Sequence, residues 1–475
     1  MCPGTLPGMK LRMHNPPPSH SSRLAMLLLV LGFWTQVSSC QVDLPATPQA
    51  QSTQVGSPGS AAQAALSPGT VGLTWEQVKA KFEAANPVLR EDQLQNVDEM
   101  KAEEVTAHLR PNPQLGLSSD GTQIAPHTIA GMGTHWQPLA GTQLVPSISY
   151  LQERQHKREL RLESAKEGTQ ITESQHVDLE RNLIFGLRSA FVQTLQAKAV
   201  LKLAKADLDY YDKIIEISRA RFNAGDLAKI DLARIELQRV QYESEIETAI
   251  VNLRQQKIQL LLLLDDRTPV DQFDVTGTFD LGPELQPLND YHQIALDNRP
   301  DLRAAIQTIQ QSQTNHKLAV SNGSTDPTFG AWYTYNSSTN NPNGNQTLGL
   351  SVSIPLRIFD KNQGEKKRTL IDIDRSQQAA EAAKAQVFSD VDDAYELVRS
   401  NIALVKPYKA QYLDQSVYVR DTVTFAYEHG GASLMDFLNA QSDYRVVQLA
   451  YLQLIGAYMT AAGQMTLAVG HEEIQ

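Results

Sequence analysis

Cysteine residues and clusters of basic residues are both scarce in this sequence. The only cysteines are Cys2 and Cys40, so a disulfide framework or a cysteine-based metal site is excluded for the chain that follows. The net charge is −11, and phosphate recognition needs a basic patch, so we expect no nucleic-acid partner. The histidines are scattered, and His127 and His135 lack carboxylates at metal-ligand spacing. With no phosphate-binding loop or serine elbow either, we predict no enzyme, no metal and no cofactor.

Aromatic residues and long apolar runs are also few. Aromatics are 7% of the chain against 41% hydrophobic residues, a balance that favours long helices. A transmembrane helix needs roughly 20 apolar residues, and beyond the first 40 positions the longest mainly apolar stretch covers only 258–264. Any membrane crossing is therefore expected to use strands.

The N-terminal region has the layout of an export signal. Arg23 precedes the apolar run 24–34, and small residues lead to Cys40. The run VSSC at 37–40 resembles a lipobox, so we predict a lipoprotein signal peptide over 1–40 with lipidation of Cys40. An ordinary signal cleaved nearby is the alternative. Residues 41–70 are rich in Pro, Gln, Ser, Ala and Gly, which predicts a disordered tether.

Alternation of apolar and small residues predicts four strands. It is cleanest over 347–356, where Leu348, Leu350, Val352, Ile354 and Leu356 are expected to share one face. Residues 329–335 alternate just before it, and a weaker pair lies at 113–117 and 144–151. This is the pattern of transmembrane β-barrel strands, but the smallest single-chain barrels use about eight. Several chains must therefore contribute.

The remaining sequence predicts long helices. Apolar residues recur at spacings of three, four and seven, which is typical of coiled coils. The positions are Leu232, Ile235, Tyr242, Ile246, Leu253 and Leu260, and then Val391, Tyr395, Val398, Ile402, Val405, Tyr412 and Val419. Because proline removes a helical hydrogen bond, we expect a kink or break between Leu404 and Pro407.

An internal repeat organises the chain. The interval from Gly225 to Gly430 equals that from Asp231 to Asp436, and each glycine follows a long helical pattern. Each copy is predicted to contain, in order, a short helix, a β-hairpin, a long helix, a glycine turn and a return helix. We place the first repeat at 71–265, a linker or equatorial segment at 266–288, and the second repeat at 289–470.

With this duplication, four motifs resemble the TolC family of outer-membrane efflux proteins. They are RFNAGD at 221–226, NRPDL at 298–302, SIPL at 353–356 with DKNQG at 360–364, and the stretch 427–439. The resemblance implies a mixed α and β membrane protein. A homotrimer would form a long coiled-coil α-helical barrel and a transmembrane β-barrel with four strands from each protomer. It also implies a location in the bacterial outer membrane, with a periplasmic tunnel, and a periplasmic adaptor and an inner-membrane pump as partners. Together with the lipobox-like run at 37–40, this predicts a protein that is lipid-anchored in that membrane.

The resemblance further implies a periplasmic aperture. Asp436 matches an acidic residue at the family's constriction, Asn439 replaces a second acid, and Tyr427 and Asp231 match a pair that tethers the closed state. Ala432 stands where the family's archetype has an arginine tether. The plainer interpretation of Asp231 and Asp436 is complementarity to a helix dipole. Gly225, Gly430 and Gly431 are expected to form the helix-tip turns.

The function predicted from these observations is the passive exit duct of a tripartite efflux system. Within the family, a duct for type I protein secretion or for metal cations is the alternative. A periplasmic coiled-coil scaffold or adaptor without membrane strands is a different class, and solubility without detergent would favour it.

Overall fold

The computed structural model describes residues 72–471 apart from 130, 132, 137–141, 283 and 337–344. The predicted signal peptide, Cys40 and the predicted tether lie outside the described residues.

The first half of the described chain contains short helices, a hairpin and two long helices. Thr74 caps the first helix through a reciprocal capping box with Gln77. The helices are α1 (Trp75–Ala85), α2 (Pro87–Asp92), α3 (Glu99–His108), α4 (Lys157–Ala224) and α5 (Lys229–Leu263), with a π-helical segment at Gln93–Asp98. The strands are β1 (Gln114–Asp120), β2 (His127–Ile129), β3 (Gly133–His135) and β4 (Gln143–Leu151). At a rise of 1.5 Å per residue, the 68-residue α4 is on the order of 100 Å long.

The second half repeats this order. A short 3₁₀ segment at Val270–Gln272 lies between the halves. The elements that follow are α6 (Leu288–Asn298), α7 (Pro300–Asn322), β5 (Thr328–Asn336), β6 (Gln346–Ser353), α8 (Gln363–Pro407), α9 (Leu413–Glu428) and α10 (Leu434–Val469).

Pro407 does not break the helix where we expected. The α-helix continues through Leu404 to Pro407, and a π-helical segment at Tyr408–Tyr412 follows before α9. A π-helical turn is wider than an α-helical turn, so it accommodates the hydrogen bond that the proline cannot donate. The irregularity therefore lies after the proline and not before it. The burial of the predicted heptad positions also changes at this π-helical segment. Val391, Val398 and Val405 are buried, but Tyr412 and Val419 are 45% and 41% exposed, so including them in the same seam was wrong.

The four predicted barrel strands form one antiparallel sheet in the order β1-β4-β5-β6. One face is apolar, and a row across it contains Leu115, Ile148, Ala331 and Leu350 as successive cross-strand partners. The leucines of this row are 84% and 77% exposed. The neighbouring row on the other face contains Gly116, Ser147, Trp332 and Gly349.

Two details of the sheet differ from the prediction. Strand β6 ends at Ser353, so Ile354 and Leu356 lie beyond the strand. They are 53% and 79% exposed, but no strand pairing fixes them to the face of Leu350. In addition, β2 and β3 form a separate small hairpin that the sequence did not predict.

The long helices bury one seam against their neighbours. Ile235, Tyr242 and Leu260 of the predicted α5 seam are buried. α10 is the one described helix that is long and apolar enough, by composition, to cross a membrane. It buries Ile455 and Met465 in a cluster with α8 residues, so we interpret it as a packed helix of the bundle.

Candidate functional site

The candidate site lies where the long helices end, at two equivalent turns. One turn connects α4 to α5 and the other connects α9 to α10. Gly225 and Gly430 both have positive φ, at 88° and 76°. After each of them, the next N–H donates to a carbonyl five residues back: Asp226 to Arg221 at 2.9 Å and Gly431 to Ala426 at 2.7 Å. This is the Schellman arrangement, in which glycine avoids the steric cost of the left-handed region. The predicted turn roles of Gly225 and Gly430 therefore match the geometry, whereas Gly431 is not left-handed.

Asp436 lies in the first turn of α10, where it takes part in a capping box. The Ser433 hydroxyl and backbone N–H donate to the Asp436 carboxylate, at 2.7 and 3.1 Å. The Asp436 N–H donates back to Ser433 Oγ at 3.1 Å. These bonds lower the pKa of Asp436, because they stabilise its charged form. Asp436 is nonetheless exposed, as is Asn439 one helical turn later.

Asp231 occupies the equivalent position in the first turn of α5. Its carboxylate lies 3.9 Å from Arg234 in the same helix, a weak contact for an ion pair. Ala228 caps this helix without a side-chain hydrogen bond. Asp231 therefore contributes a negative charge at a helix N-terminus, which is the plainer of the two interpretations considered from the sequence.

Tyr427 is placed differently from the predicted pairing with Asp231. Its side chain is 2% exposed, and its hydroxyl lies 3.4 Å from the Ser218 hydroxyl. Arg221 makes the stronger connection: its guanidinium donates to the Tyr427 carbonyl at 2.6 Å and lies 5.0 Å from the centre of the Tyr427 ring. Within the described chain, α4 is thus tied to the end of α9 through Arg221.

An aromatic stack supports this connection. Tyr242 of α5, Tyr211 of α4, Phe437 of α10 and Tyr427 of α9 follow one another, with ring centres 4.6, 6.4 and 5.1 Å apart. Each ring comes from a different helix, so the stack joins all four helices. Sequence reasoning missed both the stack and the role of Arg221. The signal for Arg221 was a basic residue in the last turn of a helix, where it complements free carbonyls.

No metal centre is apparent in the part of the chain that the structure describes. None of its His, Cys, Asp and Glu side chains form a group of three or more that could hold a metal ion.

Long paired helices ending in two equivalent glycine turns, together with a sheet that exposes an apolar face, are the features expected from the sequence for a protomer of an outer-membrane channel. Residues 292–471 match the family model described as outer membrane efflux protein. The cobalt-zinc-cadmium resistance protein CzcC of Cupriavidus metallidurans is 23% identical over 77% of this chain and 82% of its own length. The outer membrane protein TolC of Escherichia coli is 24% identical over 69% of this chain and 68% of its own length. The chain is therefore similar to the TolC-like outer-membrane efflux proteins of the outer membrane factor family.

Solved structures of outer-membrane channels share this fold. The channel CusC aligns with a TM-score of 0.68 at 18% identity, over 87% of this chain and 96% of CusC. The outer-membrane channel OprN aligns with a TM-score of 0.66 at 14% identity, over 89% of this chain and 98% of OprN. These likenesses confirm the fold class predicted from the sequence, a coiled-coil helical domain joined to the strands of a membrane barrel.

Proposed function

We propose that this protein is the outer-membrane exit duct of a tripartite efflux system and works as a homotrimer. The observation that carries the proposal is the sheet. Its apolar face is exposed, and its edge strands β1 and β6 each have one partner within the described chain. Unpaired strand edges are not tolerated in lipid, so the edge of one protomer must meet the opposite edge of another. Three copies would close a barrel above a helical tunnel.

The test is conductance in a planar bilayer, combined with the mass of the detergent-solubilised particle. The proposal expects a trimeric mass, a requirement for detergent and discrete single-channel currents. A particle that stays soluble without detergent and carries no current would support the scaffold alternative instead.

We further propose that the helix tips form the periplasmic aperture. In a trimer, three copies of Asp436, with Asn439 one turn along, would approach the threefold axis. Carboxylates around a narrow aqueous opening attract cations. The hydrogen bonds from Ser433 support this role, since they keep Asp436 charged. Asp231 and Tyr427 would act at the same level, with Tyr427 held through Arg221.

The proposed partners are a periplasmic adaptor and an inner-membrane pump, and the proposed anchor is a lipid on Cys40. The two left-handed glycine turns support the first part, because they give each protomer two similar compact tips. Photo-crosslinkers placed beside Gly225 and beside Gly430 should capture an adaptor in the native host. Crosslinks from positions on the sheet alone would contradict this arrangement.

Efflux of metal cations is the second candidate within this function. It is favoured by the likeness to CzcC, whose name specifies cobalt, zinc and cadmium resistance. Deleting the gene should then sensitise the host to these cations. Sensitisation to organic toxicants alone would argue against it.

A further inference from the structure

A groove on the helical domain has the size and chemistry of a ligand site. It lies between α4, α5 and α10, with a volume of about 660 Å³. Ligand sites in proteins usually enclose roughly 300–1,000 Å³ and are mostly apolar with a few polar groups. The larger apolar side chains that line it are Val200, Leu203, Leu237, Val240 and Leu449, and Ala204 lies among them.

Asp207 is the polar group that stands out in this groove. Its Oδ2 atom is buried and has no hydrogen-bond partner within the described chain. Burial raises the pKa of Asp207 to about 6, so the carboxyl is mainly ionised at pH 7.5. A buried carboxylate without a partner is costly, and a cation placed beside it would offset that cost.

Arg445 and Arg420 are close enough to lower the pKa of Asp207 by their charge, but neither donates a hydrogen bond to it in the described chain. Arg445 holds Glu245 through both carboxylate oxygens, at 2.9 and 2.8 Å. Arg420 donates to Asp421 at 2.8 Å and lies between the rings of Tyr210 and Tyr444, 4.6 and 4.1 Å from their centres. Asp207 is therefore the one acidic group of the groove left without a direct partner in the described chain.

We propose that this groove binds a small amphipathic amine, with the ammonium group beside Asp207 and the apolar body against α4 and α5. A divalent metal ion does not fit the site, because such ions need several oxygen ligands and Asp207 offers one uncommitted carboxylate. The inference concerns the helical wall and does not rest on the proposed duct function.

The test compares three probes of the same shape and different charge. They are 1-naphthylmethylamine, 1-naphthalenemethanol and 1-naphthoate, titrated at pH 7.5 into the full-length protein in phosphatidylcholine nanodiscs and followed by naphthalene fluorescence. Empty nanodiscs measure partition into lipid. The proposal expects saturable binding of the amine, weaker binding of the alcohol and the weakest binding of the naphthoate.

Matched variants identify the site. Asp207→Asn keeps the shape but removes the charge, and should weaken amine binding about tenfold while changing alcohol binding less than twofold. Asp209→Asn is the control, since Asp209 is exposed two residues along the same helix. Ala204→Phe, which fills the groove, should abolish binding of both the amine and the alcohol.

Three results would overturn the proposal. The first is no saturable binding of the amine to the wild-type protein, as expected if a neighbouring protomer covers the groove. The second is equal weakening by Asp207→Asn and Asp209→Asn. The third is binding unaffected by Ala204→Phe in a protein that migrates normally as an oligomer.

Discussion

Replacing Arg221 with methionine should loosen the helix tips more than any change to the Tyr427 hydroxyl. Methionine keeps the aliphatic length but loses both the hydrogen bond to the Tyr427 carbonyl and the contact with its ring. A hydrogen bond to a charged group contributes about 1.5–3 kcal/mol, and a partly exposed cation–π contact about 0.5–1 kcal/mol. Taking a combined loss of about 2 kcal/mol, the ratio of loosened to closed tips should rise roughly thirtyfold.

The assay is the open fraction of single channels in planar bilayers. Tyr427→Phe loses only the 3.4 Å contact with Ser218, so its open fraction should change about twofold or less. Arg219→Met is the matched control, because Arg219 is exposed on the same helix and pairs with Glu236 at 3.0 Å. An exposed pair of this kind contributes about 0–1 kcal/mol. If Tyr427→Phe opens the channel as far as Arg221→Met does, the hydroxyl is the tether and this reasoning is refuted.

Four further predictions concern other parts of the chain. Leu350→Arg, halfway along the apolar face of β6, should cost about 2–4 kcal/mol of membrane stability, and Ser351→Arg on the other face should cost less; equal insertion defects would contradict the assigned faces. Asp436→Asn should lower cation selectivity in bilayer recordings with little loss of stability, because the amide oxygen still accepts from the cap, and an unchanged selectivity would place the constriction elsewhere. Mass spectrometry of the mature N-terminus should find a lipid on Cys40, and an unmodified terminus would exclude the anchor. The folded-state pKa of Asp207, about 6, is above the unfolded value of 3.8, so stability is lost as pH rises from about 4 to 6. Chemical denaturation should therefore show a free energy of unfolding about 1–2 kcal/mol higher for Asp207→Asn than for the wild-type protein at pH 7.5, after allowing for solvent screening, and no such gain at pH 3.5.

The sequence predicted the features that local patterns encode. Alternation located four strands, and their order in one sheet confirms that they belong together. The duplicated spacing located Gly225 and Gly430, because a left-handed residue after a helix favours glycine strongly. The capping box of Thr74 and Gln77 is a local pattern of the same kind, since its two residues are only three positions apart.

Contacts between distant segments were not predictable in this way. Arg221 and Tyr427 are far apart in sequence, and the bond between them goes to a backbone carbonyl, which carries no residue signature. Trp332 is another example: it lies on the face with small residues, where a Cβ at Gly349 would come within 2.2 Å of its ring. Simple alternation predicts the direction of a side chain but not the partner that makes room for it.

The π-helical segment after Pro407 has a consequence for helical phase. Val398 and Val405 are one heptad apart in the seam of α8, and Arg420 and Tyr427 are one heptad apart on the inward side of α9. The two series differ by a single residue, because the α9 series extends back to position 413 and not to 412. One residue corresponds to about 100° of rotation around an α-helix. The π-helical segment thus accommodates one extra residue between the two series, and it sets the direction in which α9 points Tyr427 toward the neighbouring helices. If residues 408–412 were wound as an α-helix instead, position 426 would continue the α8 seam and Tyr427 would be turned about 100° away from the aromatic stack.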